Sequence, residues 1–190
     1  MSLHGQLGLN TKRSINLVSP KAVEHNSVDL ESLFASCFEE QFSTILIGGA
    51  DEPLYQPNCQ KHKRHVVYYR YDYFASALHE IAHWCIAGDK RRQQEDYGYW
   101  YVPDGRNARD QVKFLQVEIK PQALEYAFSK ACGIPFCVSI DNLSHEACDI
   151  TRKKEEQDFT NAVQKQLSLY QVKGFPTRAQ SFLQVLNDYY

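Results

Sequence analysis

The sequence predicts a helix-rich α+β fold: a single domain with a small sheet and a zincin-like, metal-binding HExxH helix. Three observations carry this prediction. Apolar residues recur at helical spacing through most segments. Only a few short runs are β-branched and aromatic enough to be strands. One of the helical stretches contains His79-Glu80-Ile81-Ala82-His83.

Residues 1–26 read as a tag and flexible N-terminal lead-in. They carry Gly5, Gly8 and Ser, Asn and Pro punctuation without periodicity. Residues 27–190 read as a single catalytic metal-binding domain. Val28, Leu30, Leu33, Phe34, Cys37 and Phe38 predict an amphipathic helix over 28–41. Thr44–Gly49 reads as a short strand ending in glycines, and 51–64 as a polar loop with Pro53 and Pro57. His65–Arg70 is a second strand. Asp72 is placed to cap a helix running to Ala87, with Gly88 as its stop. Lys90, Arg91 and Arg92 then suit the negative end of that helix.

Tyr97–Val102 reads as an aromatic strand or extended loop, closed by the turn Pro103-Asp104-Gly105. Gln111, Phe114, Leu115 and Glu118 share one helical face. Pro121 ends, kinks or restarts that helix, and Leu124, Phe128 and Ala131 continue the pattern to Gly133. Phe136–Ile140 reads as a strand or extended piece. A long polar, solvent-facing helix over about 153–170 and a last helix with Phe182, Leu183 and Leu186 complete the chain.

Composition narrows the function. In 190 residues, 43% are hydrophobic and 23% charged, which excludes wholesale disorder. No apolar run approaches the ~20 residues that span a bilayer. A net charge of -2 provides no basic field for nucleic acid or an anionic membrane, so neither is expected as a partner. Six cysteines without a secretory leader predict reduced thiols in the cytoplasm. Cys132 and Cys137 form C-x4-C, but no second pair follows at zinc-finger spacing.

The chemistry centres on His79 and His83. At i, i+4 both imidazoles stand on one helical face, close enough to chelate one divalent metal. About 0.016 such motifs are expected by chance in a chain of this composition, so the match is a signal. A catalytic centre needs a third protein ligand and open positions. The candidates are Glu95, Asp96, Asp104, Asp110, Glu118, Glu125, His62, His65 and His145. Pattern favours Glu118, about 35 residues on and on a second helix, with Glu125 two turns further as the alternative. Two His and one carboxylate hold zinc for hydrolysis or Fe(II) for oxygen activation. Glu80 is the catalytic candidate, a general base in the first case and a proton relay in the second. Tyr99, Trp100, Asp104 and Arg106 are candidate substrate-binding residues, the aromatic rings being able to hold an ammonium by cation–π contact.

The run Tyr73-Phe-Ala-Ser-Ala-Leu-His-Glu-Ile-Ala-His-Trp-Cys-Ile-Ala-Gly88 resembles the bacterial elongation factor P hydroxylase family. So do Asp51-Glu-Pro53, Tyr97-Gly-Tyr-Trp-Tyr-Val-Pro-Asp-Gly-Arg106 and Val117-Glu-Ile-Lys-Pro-Gln-Ala-Leu-Glu125. The likeness continues in Pro135-Phe-Cys-Val-Ser-Ile-Asp-Asn-Leu143 and Asn187-Asp-Tyr-Tyr190, and covers roughly residues 28–190. It implies a metal-dependent, monooxygenase-type hydroxylase that is not a jelly roll. The implied substrate is a β-lysylated lysine of elongation factor P, with dioxygen or an equivalent oxidant as co-reactant. The implied metal ligands are His79, His83 and Glu118, with iron in the active form and zinc or another metal as purified. Two other readings fit the bare motif: a zinc metallopeptidase with Glu80 as general base, and a non-enzymatic module with a structural metal.

Overall fold

The computed structural model describes residues 24–98, 106–140 and 149–190. Among the described residues, five α-helices accompany a three-stranded sheet in the order β1-β3-β2, with α1 and α2 packed on the sheet.

Helix α1 (Ser27–Phe42) begins at Asn26, whose side-chain oxygen accepts the Val28 N–H at 3.0 Å. It ends at Ser43 in the left-handed region, and β1 (Thr44–Ala50) follows directly. β3 (Arg64–Arg70) is the central strand, parallel to β1 and antiparallel to β2 (Leu54–Cys59). The expected polar loop over 51–64 therefore contains a strand. Pro57 is tolerated there because β2 lies at the sheet edge, where the register with β3 also shifts. Gly48 has a steric purpose. A Cβ there would lie 2.6 Å from the Tyr69 ring, whose hydroxyl shares Glu31 with the Gly48 N–H.

Helix α2 (Phe74–Ile86) carries the HExxH segment. Its N-cap is Tyr73, with no side-chain cap, so Asp72 does not cap the helix as expected. Nor does Gly88 terminate it in a left-handed turn; Ala87 is the C-cap, in extended conformation. The terminal carbonyls are met by arginines instead. Arg178 Nη2 donates to Trp84 O, Cys85 O and Ala87 O, and Arg92 Nη1 donates to Ala87 O. Both cations sit where the helix dipole is negative.

Helix α3 (Ala108–Ala131) starts at Asn107, whose Oδ1 accepts the Asp110 N–H, and it runs unbroken through Pro121. Pro121 only deprives the Val117 carbonyl of its helix donor. Residues 134–140 follow without regular structure. Helices α4 (Asp149–Lys173) and α5 (Thr177–Tyr189) close the chain. The core lies where α1, α2 and α5 meet. Trp84 is fully buried there, with ring centroids 5.1 Å from Phe34 and 4.7 Å from Phe38, and Phe182 packs on both phenylalanines. No helix among the described residues is long and apolar enough to cross a membrane. The five described cysteines, Cys37, Cys59, Cys85, Cys132 and Cys137, are free thiols.

Candidate metal centre

Trp84 and its neighbours Leu78, Ile81, Ala82 and Cys85 anchor α2 in the core. That rotation leaves His79 and His83 on the opposite face, turned toward α3. On α3, Gln111, Glu118, Gln122 and Glu125 recur at helical spacing and face back. Glu118, Gln122 and Gln111 are at most 3% exposed, so each polar side chain needs a partner inside.

The partners are the histidines and the segment after α3. His79 Nε2 and His83 Nε2 are 3.0 Å apart. Glu118 Oε2 lies 3.5 Å from His79 Nε2, and Oε1 lies 3.3 Å from His83 Nε2. At metal–ligand bonds of about 2.1 Å, neighbouring donors stand roughly 3.0 Å apart in an octahedron and roughly 3.4 Å in a tetrahedron. The two ring nitrogens and the carboxylate are therefore close enough together to hold one cation. Among the described residues this is the group of His, Cys, Asp and Glu whose ligand atoms converge.

Glu125 arrives on the other side of the ring. Its Oε2 accepts from His79 Nδ1 at 2.8 Å. This fixes the ring orientation and leaves Nε2 as the atom aimed at Glu118. The other sequence candidates are placed elsewhere. Asp96 accepts the Tyr55 N–H, Asp110 pairs with Lys113 and Asn107, and His65 Nδ1 meets the Asn58 N–H. Asp104, His145, Tyr99 and Trp100 lie outside the described residues. Arg106 is buried, its Nε donating to Gln111 Oε1 at 2.9 Å and its guanidinium lying 3.8 Å over Phe114.

Gln122 was not singled out by its sequence. Its amide bonds both sides of Ser139, donating to the carbonyl at 2.8 Å and accepting the N–H at 3.0 Å. The same nitrogen stands 3.4 Å from Glu118 Oε2. Gln111 similarly donates to Ile140 O at 2.8 Å. The available signal was the polar spacing 111, 118, 122, 125 on a face that also carries Phe114.

The charges are strongly coupled. Burial disfavours the His79 imidazolium, but the Glu125 carboxylate, with Glu118 and Glu80, outweighs it and raises the pKa to about 10. Burial would raise Glu118, yet the two imidazoles and Gln122 hold its carboxyl at about 2. Glu80 is pushed above the usual carboxylate range by burial, although His79 and His83 oppose this. The raised His79 and lowered Glu118 values favour an imidazolium ring at His79, flanked by the Glu118 and Glu125 carboxylates.

A cavity of ≈ 670 Å³ opens beside this centre, with His83 in its wall. Val117 and Pro121 of α3 form another part of the lining. Tyr97 also lines it, and Asp96 and Tyr97 both hold positive φ, 46° and 58°. This costly backbone is held by the Asp96–Tyr55 hydrogen bond and by the Tyr97 ring stacked 4.4 Å from Tyr55.

The chain matches the family model described as elongation factor P hydroxylase over residues 33–190. It is 42% identical over 168 residues to a Haemophilus influenzae protein named elongation factor P lysine hydroxylase, covering 88% of this chain and 91% of that relative. Glu118 and both histidines lie within the matched region, as do α2, α3 and the cavity between them. The chain belongs to the elongation factor P hydroxylase family.

Proposed function

We propose that this protein hydroxylates a lysine side chain of translation elongation factor P, using a divalent metal held by His79, His83 and Glu118. The observation that carries the reading is the 3.0–3.5 Å convergence of three donors, within a chain matched along most of its length by a hydroxylase family. The preferred metal is iron(II), with zinc or another metal as an occupant on purification. When bound, iron in a two-histidine, one-carboxylate set supplies activation of dioxygen or an equivalent oxidant for C–H attack.

The chain's own residues set the stage for that chemistry. Glu125 orients His79, Gln122 steadies Glu118, and α2 and α3 exclude solvent from the carboxylate. The Glu80 carboxyl, next to His79 on α2, is pushed by burial above the usual carboxylate range. It is suited to hold and return a proton at its carboxyl oxygen. Tyr99, Trp100 and Asp104 are proposed to line the path of a β-lysylated lysine, whose ammonium the aromatic rings are able to hold by cation–π contact. Arg106, packed on Phe114, is assigned to steadying the end of that run. Residues 27–190 form the proposed catalytic domain, and the workplace is the cytoplasm, where elongation factor P acts.

The peptidase reading is not favoured, since the family that matches the chain is one of hydroxylases. The test is mass spectrometry of elongation factor P from cells carrying wild-type protein or His79→Ala. Loss of the ~16 Da increment of one oxygen is expected in the variant. An unchanged increment rejects the proposal.

A further inference from the structure

The cavity beside His83 has a chemical character that a lysyl substrate does not explain. The charged side chains in its described lining are cationic: Arg91 and Lys120. Gln116 and Gln166 add amide donors. No aspartate or glutamate belongs to the described lining, in a chain whose 23 acidic residues outnumber its 21 Lys and Arg. Such a lining repels an ammonium group and attracts an anion.

Tyr97 supplies a second, independent observation. It is 6% exposed, it lines the cavity, and among the described residues its hydroxyl has no hydrogen-bond partner. A buried hydroxyl left unpaired is costly, so it is a donor awaiting an acceptor. The strained Asp96–Tyr97 backbone keeps the ring in place against Tyr55. Lys120 stands on α3 two residues past Glu118, and among the described residues its ammonium makes no ion pair. A carboxylate could accept from the Tyr97 hydroxyl while facing the Lys120 ammonium.

We propose that this cavity binds a small organic carboxylate, seated next to the metal centre and separate from the site of the lysyl chain. The neighbourhood makes it the place for an acidic co-reactant of the proposed hydroxylation. That role rests on the functional reading above; the binding itself does not.

Calorimetric titration of the full chain, metal-free and metal-loaded, tests the proposal with succinate, pyruvate and inorganic phosphate as probes and succinamide as the neutral control. Saturable binding of a carboxylate at millimolar concentration or tighter is expected, with no binding of succinamide. Lys120→Gln and Tyr97→Phe should each weaken it about tenfold, the usual worth of a charge-assisted hydrogen bond. Lys113→Gln, whose lysine pairs with Asp110 on the helix surface, should leave it unchanged. Tyr97→Phe retains the ring that stacks on Tyr55, and circular dichroism verifies that each variant is folded. The proposal is overturned if no carboxylate saturates, if only phosphate does, or if both cavity variants bind like wild type. Because the metal-free protein is included, failure here is distinct from failure of the hydroxylation assay.

Discussion

The Glu125 carboxylate accepts from His79 Nδ1 at 2.8 Å, on the side of the ring away from Glu118. Glu125 and Glu118 lie seven residues apart on one face of α3, and the imidazole is held between them. One glutamate is therefore placed to meet the cation and the other to aim the ligand.

Removing the aiming carboxylate should weaken metal binding without unfolding the protein. Glu125→Ala is expected to lower metal affinity about 10–100-fold, and Glu125→Gln by less, since an amide oxygen still accepts from Nδ1. Competition with a chromophoric chelator measures this. Wild-type affinity in Glu125→Ala would remove the role assigned to Glu125.

Metal binding should release a proton. His79 has a folded-state pKa raised to about 10, so at pH 7.5 the metal-free site holds an imidazolium that the cation must displace. About one proton per metal is expected, falling away as pH passes 10. The stability contributed by the raised His79 pKa is full below its unfolded value of about 6.5 and disappears as pH climbs through 10. Glu118, depressed to about 2, contributes stability above about pH 4.5 that is lost as pH falls toward 2. Calorimetry in buffers of different ionisation enthalpy counts the protons. A metal affinity constant from pH 6 to 9 would contradict this.

Chelation should leave the chain folded. The aromatic core around Trp84 lies on the far side of α2 from the trio, so it does not depend on the cation. We expect an unchanged far-UV spectrum in excess chelator and a lower Tm, by mass action alone. Wholesale unfolding would instead support the reading of a purely structural metal.

Arg178→Ala should destabilise the protein. It removes donors from three carbonyls at the end of α2 and a guanidinium 4.7 Å over Trp84. The expected cost is about 1.5–3 kcal/mol, a Tm drop of roughly 3–12 °C for a chain of this size. Thermal unfolding followed by circular dichroism checks it, and a shift below 1 °C would argue that Arg92 suffices as the cap.

Gln122→Leu should loosen residues 136–140, which hang on the two Gln122–Ser139 hydrogen bonds. Faster amide exchange confined to this stretch is expected, together with weaker metal binding through Glu118. Unchanged exchange at Ser139 would show that Gln111 alone holds the segment.

Elements with strong internal periodicity were legible in the sequence. Leu30, Phe34 and Phe38 mark α1, and Phe182, Leu183 and Leu186 mark α5, because each stripe is local. β2 was hidden by Gln56, Pro57 and Asn58, since its strand character is lent by pairing with β3. The ends of α2 were misread for a similar reason. Asp72 looks like a cap, yet the helix starts after Tyr73, and its real C-terminal partner, Arg178, comes from another helix 91 residues beyond Ala87. At the site, the spacing of His79 and His83 announces a chelating pair. The division of labour between Glu118 and Glu125 depends on how α3 is rotated against α2, which one-dimensional spacing leaves open. Gln122 carries no motif, because its contribution is a main-chain bridge formed only after the chain turns back.

Trp84 stands between His83 and Cys85, fully buried, its indole nitrogen without a hydrogen-bond partner among the described residues, with three phenylalanine rings beside it and two guanidinium groups over it. An indole so shielded from water emits at short wavelength and reddens when its helix loosens. Replacing Trp100, the chain's other tryptophan, by phenylalanine would leave a single native fluorophore riveted to the histidine-bearing helix. The molecule thus carries its own optical gauge of how firmly that helix is seated, with no label attached.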